Sequence, residues 1–143
     1  MRSTRIYEAL GGKKVLKEPA SHYGALIEQI RSGLPYAAVE AVAERFEISR
    51  DDLLRILHLP LRTLARRKKE RVLRADESDR LLRLGRIAAM AEEVLGSREK
   101  AAAWLGDPNR ALGGPRPLDR LDTDLGARQV EQILGRIAHG VYS

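Results

Sequence analysis

The stretch Leu53–Arg67, LLRILHLPLRTLARR, decides the fold. Leu53 and Leu57 recur at helical spacing, Leu61 and Leu64 do so again, and His58-Leu59-Pro60 breaks the run between them. Pro60 suits the start of a helix, where its missing N–H has no partner to lose. The pattern predicts a short helix, a tight turn and a second helix, with Leu53, Leu57, Leu59, Leu61 and Leu64 turned inward. Arg62, Thr63, Arg66 and Arg67 then face outward at i, i+1, i+4 and i+5. This is the layout of a helix-turn-helix, whose second helix enters the major groove of DNA. Arginine bonds bidentately to guanine, and threonine touches a thymine methyl or a phosphate. Lys68, Lys69 and Arg71 extend the positive charge toward backbone phosphates, which set affinity rather than sequence. Two residues depart from the pattern: His58 stands in the turn where glycine is usual, and Leu54 is bulkier than the small residue usual in the first helix. A helical hairpin with no DNA role would show the same apolar spacing, so the charge around it has to separate the two.

The chain has 143 residues, 26 of them Lys or Arg against 20 Asp or Glu, for a formal net charge of +6. Residues 1–61 hold nine basic and eight acidic residues, and residues 75–143 hold ten and eleven, so these parts nearly cancel. Between them, Arg62, Arg66, Arg67, Lys68, Lys69, Arg71 and Arg74 stand against Glu70 alone, a net +6 in thirteen residues. A solvated helix face is the ordinary explanation of a charge run. Solubility, however, is better served by interspersed signs, which avoid self-repulsion. Concentration of one sign on one helix points to nucleic-acid contact.

Outward from the hairpin the chain keeps a helical period and never adopts a period of two. Residues 1–20 show no sustained period and include Gly11-Gly12 and Pro19, which predicts a flexible arm. Leu26, Ile27 and Ile30 mark a short helix stopped by Gly33, and Val39, Val42, Ala43 and Phe46 mark a second that starts near Pro35. Ser49 to Asp52 offer an N-cap ahead of Leu53. Asp76-Glu-Ser-Asp79 puts acidic residues at the start of a helix running to Leu95, where they complement its dipole. Ser97 caps a helix containing Ala101, Trp104 and Leu105, residues 106–117 form a Gly/Pro-rich loop, and Leu118 with Leu121 makes one turn. A last helix from Thr123 places Val130, Ile133, Leu134, Ile137 and Val141 on one face. The expected fold is all-α: an arm over residues 1–20, a helix-turn-helix module over 21–75, and a long linking helix with a small helical module over 76–143.

Several chemistries lack their residues. No cysteine is present, which removes disulfides, thiol nucleophiles and cysteine-based zinc sites. His22, His58 and His139 fall in three different elements with no partner at metal-ligand spacing, so they read as surface or cap residues. No phosphate-loop or nucleophile-elbow pattern occurs. No catalytic residue, metal or cofactor is expected. The chain also lacks an apolar run of membrane-spanning length and a signal peptide's apolar stretch, which predicts a cytoplasmic protein away from membranes.

Two sets of residues carry a resemblance. Leu61-Arg-Thr-Leu-Ala-Arg-Arg67, followed by Glu77-Ser-Asp-Arg-Leu81, resembles the helix-turn-helix region of Xre-type antitoxins. Ala103-Trp-Leu-Gly-Asp-Pro-Asn-Arg-Ala-Leu-Gly-Gly114, then Pro117-Leu118, Leu121-Asp-Thr123, Gly126 and Arg136-Ile-Ala-His-Gly-Val-Tyr142, resembles the Xre/MbcA/ParS toxin-binding domain. The resemblance covers residues 25–143 and implies a bacterial type II antitoxin. Such a protein would bind and inhibit a nearby-encoded RES-domain toxin, which is ADP-ribosyltransferase-like and consumes NAD. It would repress its own operon by DNA binding, as a homodimer matched to a palindromic operator.

The residues of the second module have plain structural readings as well. Trp104 and Leu105 anchor a core against the last helix, Gly113 and Gly114 allow positive φ or close backbone approach, and Asp122 and Thr123 cap the last helix. For the toxin contact, Arg136, Gly140, Val141, Tyr142 and Ser143 are the expected residues. Tyr142 and the terminal carboxylate would enter a basic NAD pocket, with Arg136 as a polar anchor; the same residues also read as a frayed helix end. A stand-alone transcriptional regulator whose C-terminal module only dimerises is the alternative function. The Trp104–Gly114 and Leu121–Thr123 signature separates the two, because a plain repressor has no use for it.

Overall fold

A computed structural model describes residues 3–16 and 23–140, and among them every regular element is helical. The α-helices are α1 (Ser3–Ala9), α2 (Gly12–Leu16), α3 (Tyr23–Ser32), α4 (Tyr36–Phe46), α5 (Arg50–Leu57), α6 (Leu61–Glu70), α7 (Ala75–Leu95), α8 (Arg98–Gly106) and α9 (Asp124–Ala138). Two 3-10 turns, Arg110–Leu112 and Pro117–Arg120, lie between α8 and α9.

Three of the caps read from sequence are in place. Ser49 Oγ accepts the Asp52 N–H at 3.2 Å, Ser97 Oγ that of Lys100 at 3.1 Å, and Thr123 Oγ1 that of Gly126 at 3.0 Å. Each satisfies one of the four N–H groups that a helix start leaves without a partner. The 21-residue α7 is the spine and packs against α1, α3, α4, α5, α8 and α9. The buried apolar side chains form one continuous cluster reaching from Ile6 through Phe46, Ile56, Leu84 and Leu105 to Leu134. Long helix α7 is therefore a shared wall of the core on both its N- and C-terminal sides.

The flexible arm is corrected by the structure. Residues 3–9 and 12–16 are helical, and Ile6, Tyr7, Ala9, Leu10 and Leu16 are buried, with α1 lying along α7. Helices of seven and five residues are too short to display a period and too short to persist alone, so packing of α1 against α7, and of α2 against α1 and α4, stabilises them. A second correction concerns Leu61. It is 49% exposed at the first position of α6, and the inner face of that helix is made by Leu64 and Arg67.

One backbone clamp positions the basic helix. The Tyr36 N–H donates to the Arg71 carbonyl at 3.0 Å, and the Leu73 N–H to that of Leu34 at 2.9 Å, tying the end of α6 to the start of α4. Gly33 sits beside this clamp at φ +95°, and a Cβ there would overlap the Leu73 carbonyl oxygen. Glycine is required on both counts.

Candidate nucleic-acid interface and its partner module

Helices α5 and α6 with the turn His58–Pro60 form the expected helix-turn-helix. Leu53, Leu57, Leu59 and Leu64 are buried in its inner seam. His58 ends α5 in the left-handed conformation, φ +58°, a strained state for a residue with a Cβ. Its ring explains why glycine is absent: Nε2 lies 2.6 Å from the Asp122 carbonyl oxygen, so the turn is bonded to the segment leading into α9.

The outer face of α6 presents Arg62, Ala65, Arg66 and Lys69 to solvent, with Thr63 half-buried at its edge and Lys68 and Arg71 exposed on the flank. Arg62, Arg66, Lys68, Lys69 and Arg71 make no ion pair among the described residues. Five bare cations on one helix repel one another, and a polyanion offsets that repulsion best.

Arg67 does not belong to this face. It is buried, with Nε donating to Glu77 Oε1 at 2.7 Å and Nη1 to Glu70 Oε1 at 3.2 Å. The spacing predicts Arg67 outward with Arg62, Thr63 and Arg66, and this is corrected: the fold turns it onto α7, where Glu77 also accepts the Arg74 N–H at 2.9 Å. Burial raises the Glu77 pKa, but the hydrogen bonds from Arg67 and the Arg74 N–H outweigh it and hold the carboxyl below its ordinary value. Arg67 is thus the pin that fixes α6 against α7 rather than a reader of bases.

A polar clamp that the sequence did not reveal joins the hairpin to the C-terminal module. Arg116 Nη2 and Nη1 contact the two oxygens of Asp52 at 2.8 and 3.1 Å, and Nη2 also donates to Asp119 at 2.7 Å. Arg55 adds bonds to Asp52 at 3.1 Å and to the Leu118 carbonyl at 3.0 Å. Asp52 is raised by burial and lowered more strongly by Arg116 and Arg55; Asp119 is lowered chiefly by Arg116. The available signal was two i,i+3 pairs, Asp52/Arg55 and Arg116/Asp119, each ordinary on a helix surface. Nothing local shows that the two pairs meet.

In the C-terminal module Leu105 is fully buried and Trp104 packs half-buried against the core. Gly113 and Gly114 adopt φ +80° and +118° with open space around them, so backbone conformation, not close approach, requires glycine there. Thr123 caps α9 as expected. Asp122 is corrected: no side-chain cap bond is formed by it, and its carbonyl takes the His58 contact. Arg136 is exposed on the last turn of α9, and Gly140 follows at φ +70°. Val141, Tyr142 and Ser143, like His22, lie outside the described residues. Among the described residues no group of three His, Cys, Asp or Glu could hold a metal, and no helix is long and apolar enough to cross a membrane.

Fold and surface together define a helix-turn-helix protein with a helical module bonded onto the first helix of the hairpin. Residues 25–86 match the Antitoxin Xre-like helix-turn-helix domain, and residues 90–140 the Antitoxin Xre/MbcA/ParS C-terminal toxin-binding domain. The chain is 35% identical to Antitoxin Xre of Photorhabdus laumondii over 124 residues, covering 85% of this chain and 82% of that one. It is 31% identical to Antitoxin Xre of Yersinia enterocolitica over 127 residues, covering 87% and 86%. A shorter similarity, 30% over 80 residues and half of each chain, is to a Sphingobium protein named Prs ADP-ribosylating antitoxin. The chain belongs to the Xre antitoxin family.

Proposed function

We propose that this antitoxin neutralises a RES-domain, NAD-consuming toxin encoded beside it by blocking the toxin's active site, and represses their shared operon through α6 as a homodimer. The bare cationic stripe Arg62–Arg66–Lys69 on the second helix of the hairpin carries the DNA half of this reading. Two such helices related by a two-fold axis would match a palindromic operator. For the toxin half, the support is the toxin-binding family of residues 90–140 together with the exposed side of α9. There Leu125 is 79% exposed, beside Arg128, Gln129, Gln132 and Arg136. The ADP-ribosylating designation of the Sphingobium relative is in keeping with a toxin that acts on NAD.

The test is co-expression with the product of the adjacent reading frame. Expression of that product alone should arrest growth and deplete NAD, and co-expression of the antitoxin should restore both. A neighbour harmless by itself would end the toxin assignment. Removing residues 140–143 or introducing Arg136→Glu should release the toxin while leaving the antitoxin's own size in solution unchanged. Full protection by both variants would move the contact off this end of α9.

A further inference from the structure

Lys68 and Arg71 stand away from the Arg62–Arg66–Lys69 stripe. At about 100° per residue Lys68 turns onto the flank of α6 that faces α2 and α4, and Arg71, the left-handed C-cap of α6, lines the same side. There they line a groove of about 380 Å³ together with Lys14 of α2 and Tyr36 and Glu40 of α4. Three cations against one carboxylate leave the groove with a surplus of positive charge, and none of the three cations forms an ion pair among the described residues. Its walls are fixed. Arg71 is held at φ +68° and its carbonyl accepts the Tyr36 N–H, while α2 is anchored through buried Leu16. Burial and the Glu40 charge push the Tyr36 phenol pKa up, so its hydroxyl remains protonated and able to donate.

We propose that Lys14, Lys68 and Arg71 form a second contact with the DNA backbone, in which helix α2 extends the hairpin's footprint along one strand. A polyphosphate strand is the occupant that fits. The groove is continuous with the α6 cations through Lys68 and Lys69, adjacent in the chain, and a run of regularly spaced anions can satisfy both at once. Phosphate contacts of this kind fix the register of the protein on the duplex and carry no base preference. The folded N-terminal helices thereby gain a role that their core packing alone does not explain, since Lys13 and Lys14 point away from the core into solvent.

This inference rests on the DNA-binding role proposed for α6, and the experiment separates the two. The full chain, its K14E variant and its R62A/R66A variant are titrated by fluorescence anisotropy, over a range of salt concentrations. The probes are a short duplex from upstream of its own reading frame and a shuffled duplex of the same composition. K14E should weaken both duplexes alike, roughly three- to tenfold, and lower the salt slope by about one. R62A/R66A should mainly erase the preference for the upstream duplex. Wild-type affinity and slope in K14E, with binding lost in R62A/R66A, would overturn the groove alone. Loss in K14E with full binding and preference in R62A/R66A would overturn the base-reading role of α6 and leave the groove standing. Absence of any wild-type binding to either duplex at low salt overturns both. Matching thermal unfolding shows that K14E is folded; if its melting shifts, K14Q repeats the measurement with the same expected direction.

Discussion

Helices α6 and α9 share an amphipathic period but use it in opposite ways. The inner face of α6 includes a buried ion pair, Arg67 with Glu77, and its outer face carries cations that form no ion pair among the described residues. The inner face of α9 is wholly apolar, with Ala127, Val130, Ile133 and Leu134 buried around Gly126. Its outer face combines the exposed Leu125 with Arg128, which is paired to Asp124 at 2.9 Å. Charge orients α6 on its inner side, and on its outer side is left exposed, as the proposed DNA contact requires. In α9 buried apolar packing fixes the helix, with the half-exposed Arg86–Glu131 ion pair to α7 at its edge, and the outside is left mixed and partly apolar, as a protein partner prefers.

The largest effect expected from this contrast is at the buried pair. Arg67→Ala strands the Glu77 carboxylate in the core and should cost roughly 3–5 kcal/mol in urea denaturation, whereas exposed Arg66→Ala should stay within about 0.5 kcal/mol. Equal costs would mean that Arg67 is not the pin it resembles. On the apolar side, a Cβ at Gly126 would overlap the Arg120 carbonyl, so Gly126→Ala should destabilise by roughly 1–3 kcal/mol despite alanine's better helix propensity. A neutral or stabilising result in the same titration would show that α9 can shift without penalty.

The outer faces separate by ligand rather than by stability. Arg62→Ala or Arg66→Ala should each cost about 1–3 kcal/mol of affinity at the operator, where a bidentate guanine contact is lost, while leaving toxin neutralisation intact. Leu125→Asp should do the reverse, with DNA binding preserved in the same anisotropy assay. A variant that abolishes both functions without unfolding would dissolve the contrast.

The smallest effect comes from the clamp between the two regions. Asp52 and Asp119 have folded pKa values below their ordinary ones, so their contribution is fully present above the ordinary carboxylate range and is lost as pH falls through the folded values. Arg116→Ala should lower stability by about 1 kcal/mol at neutral pH, since the group is partly exposed. The gap between wild type and variant should then close below about pH 4. A gap that persists into that acid range would assign the loss to packing of the arginine stem instead.

Much of the fold was legible because its signals are local. Ser49, Ser97 and Thr123 announce helix starts through a side-chain oxygen three residues ahead of a free N–H, and the leucine spacing of α5 and α6 closes over a single turn. Helices α1 and α2 were not legible, because seven and five residues hold too few apolar positions to define a period. Arg67 was misplaced for a related reason. Its angular position lies at the edge of the polar sector, and only the arrival of Glu77 from the next helix decides whether it faces solvent or core.

The amino-acid sequence by itself determined the all-helical architecture, the helix-turn-helix and the confinement of the positive surplus to thirteen residues, since periodicity, capping and charge are properties of neighbours in the chain. Tertiary structure alone decided which of those charges are free. It buried Arg67 against Glu77 of the next helix, joined Asp52 of the hairpin to Arg116 of the C-terminal module and brought Lys14 and Lys68 to one groove. Each of these placements depends on how separate helices pack together, and contacts between helices leave no mark in the spacing within one.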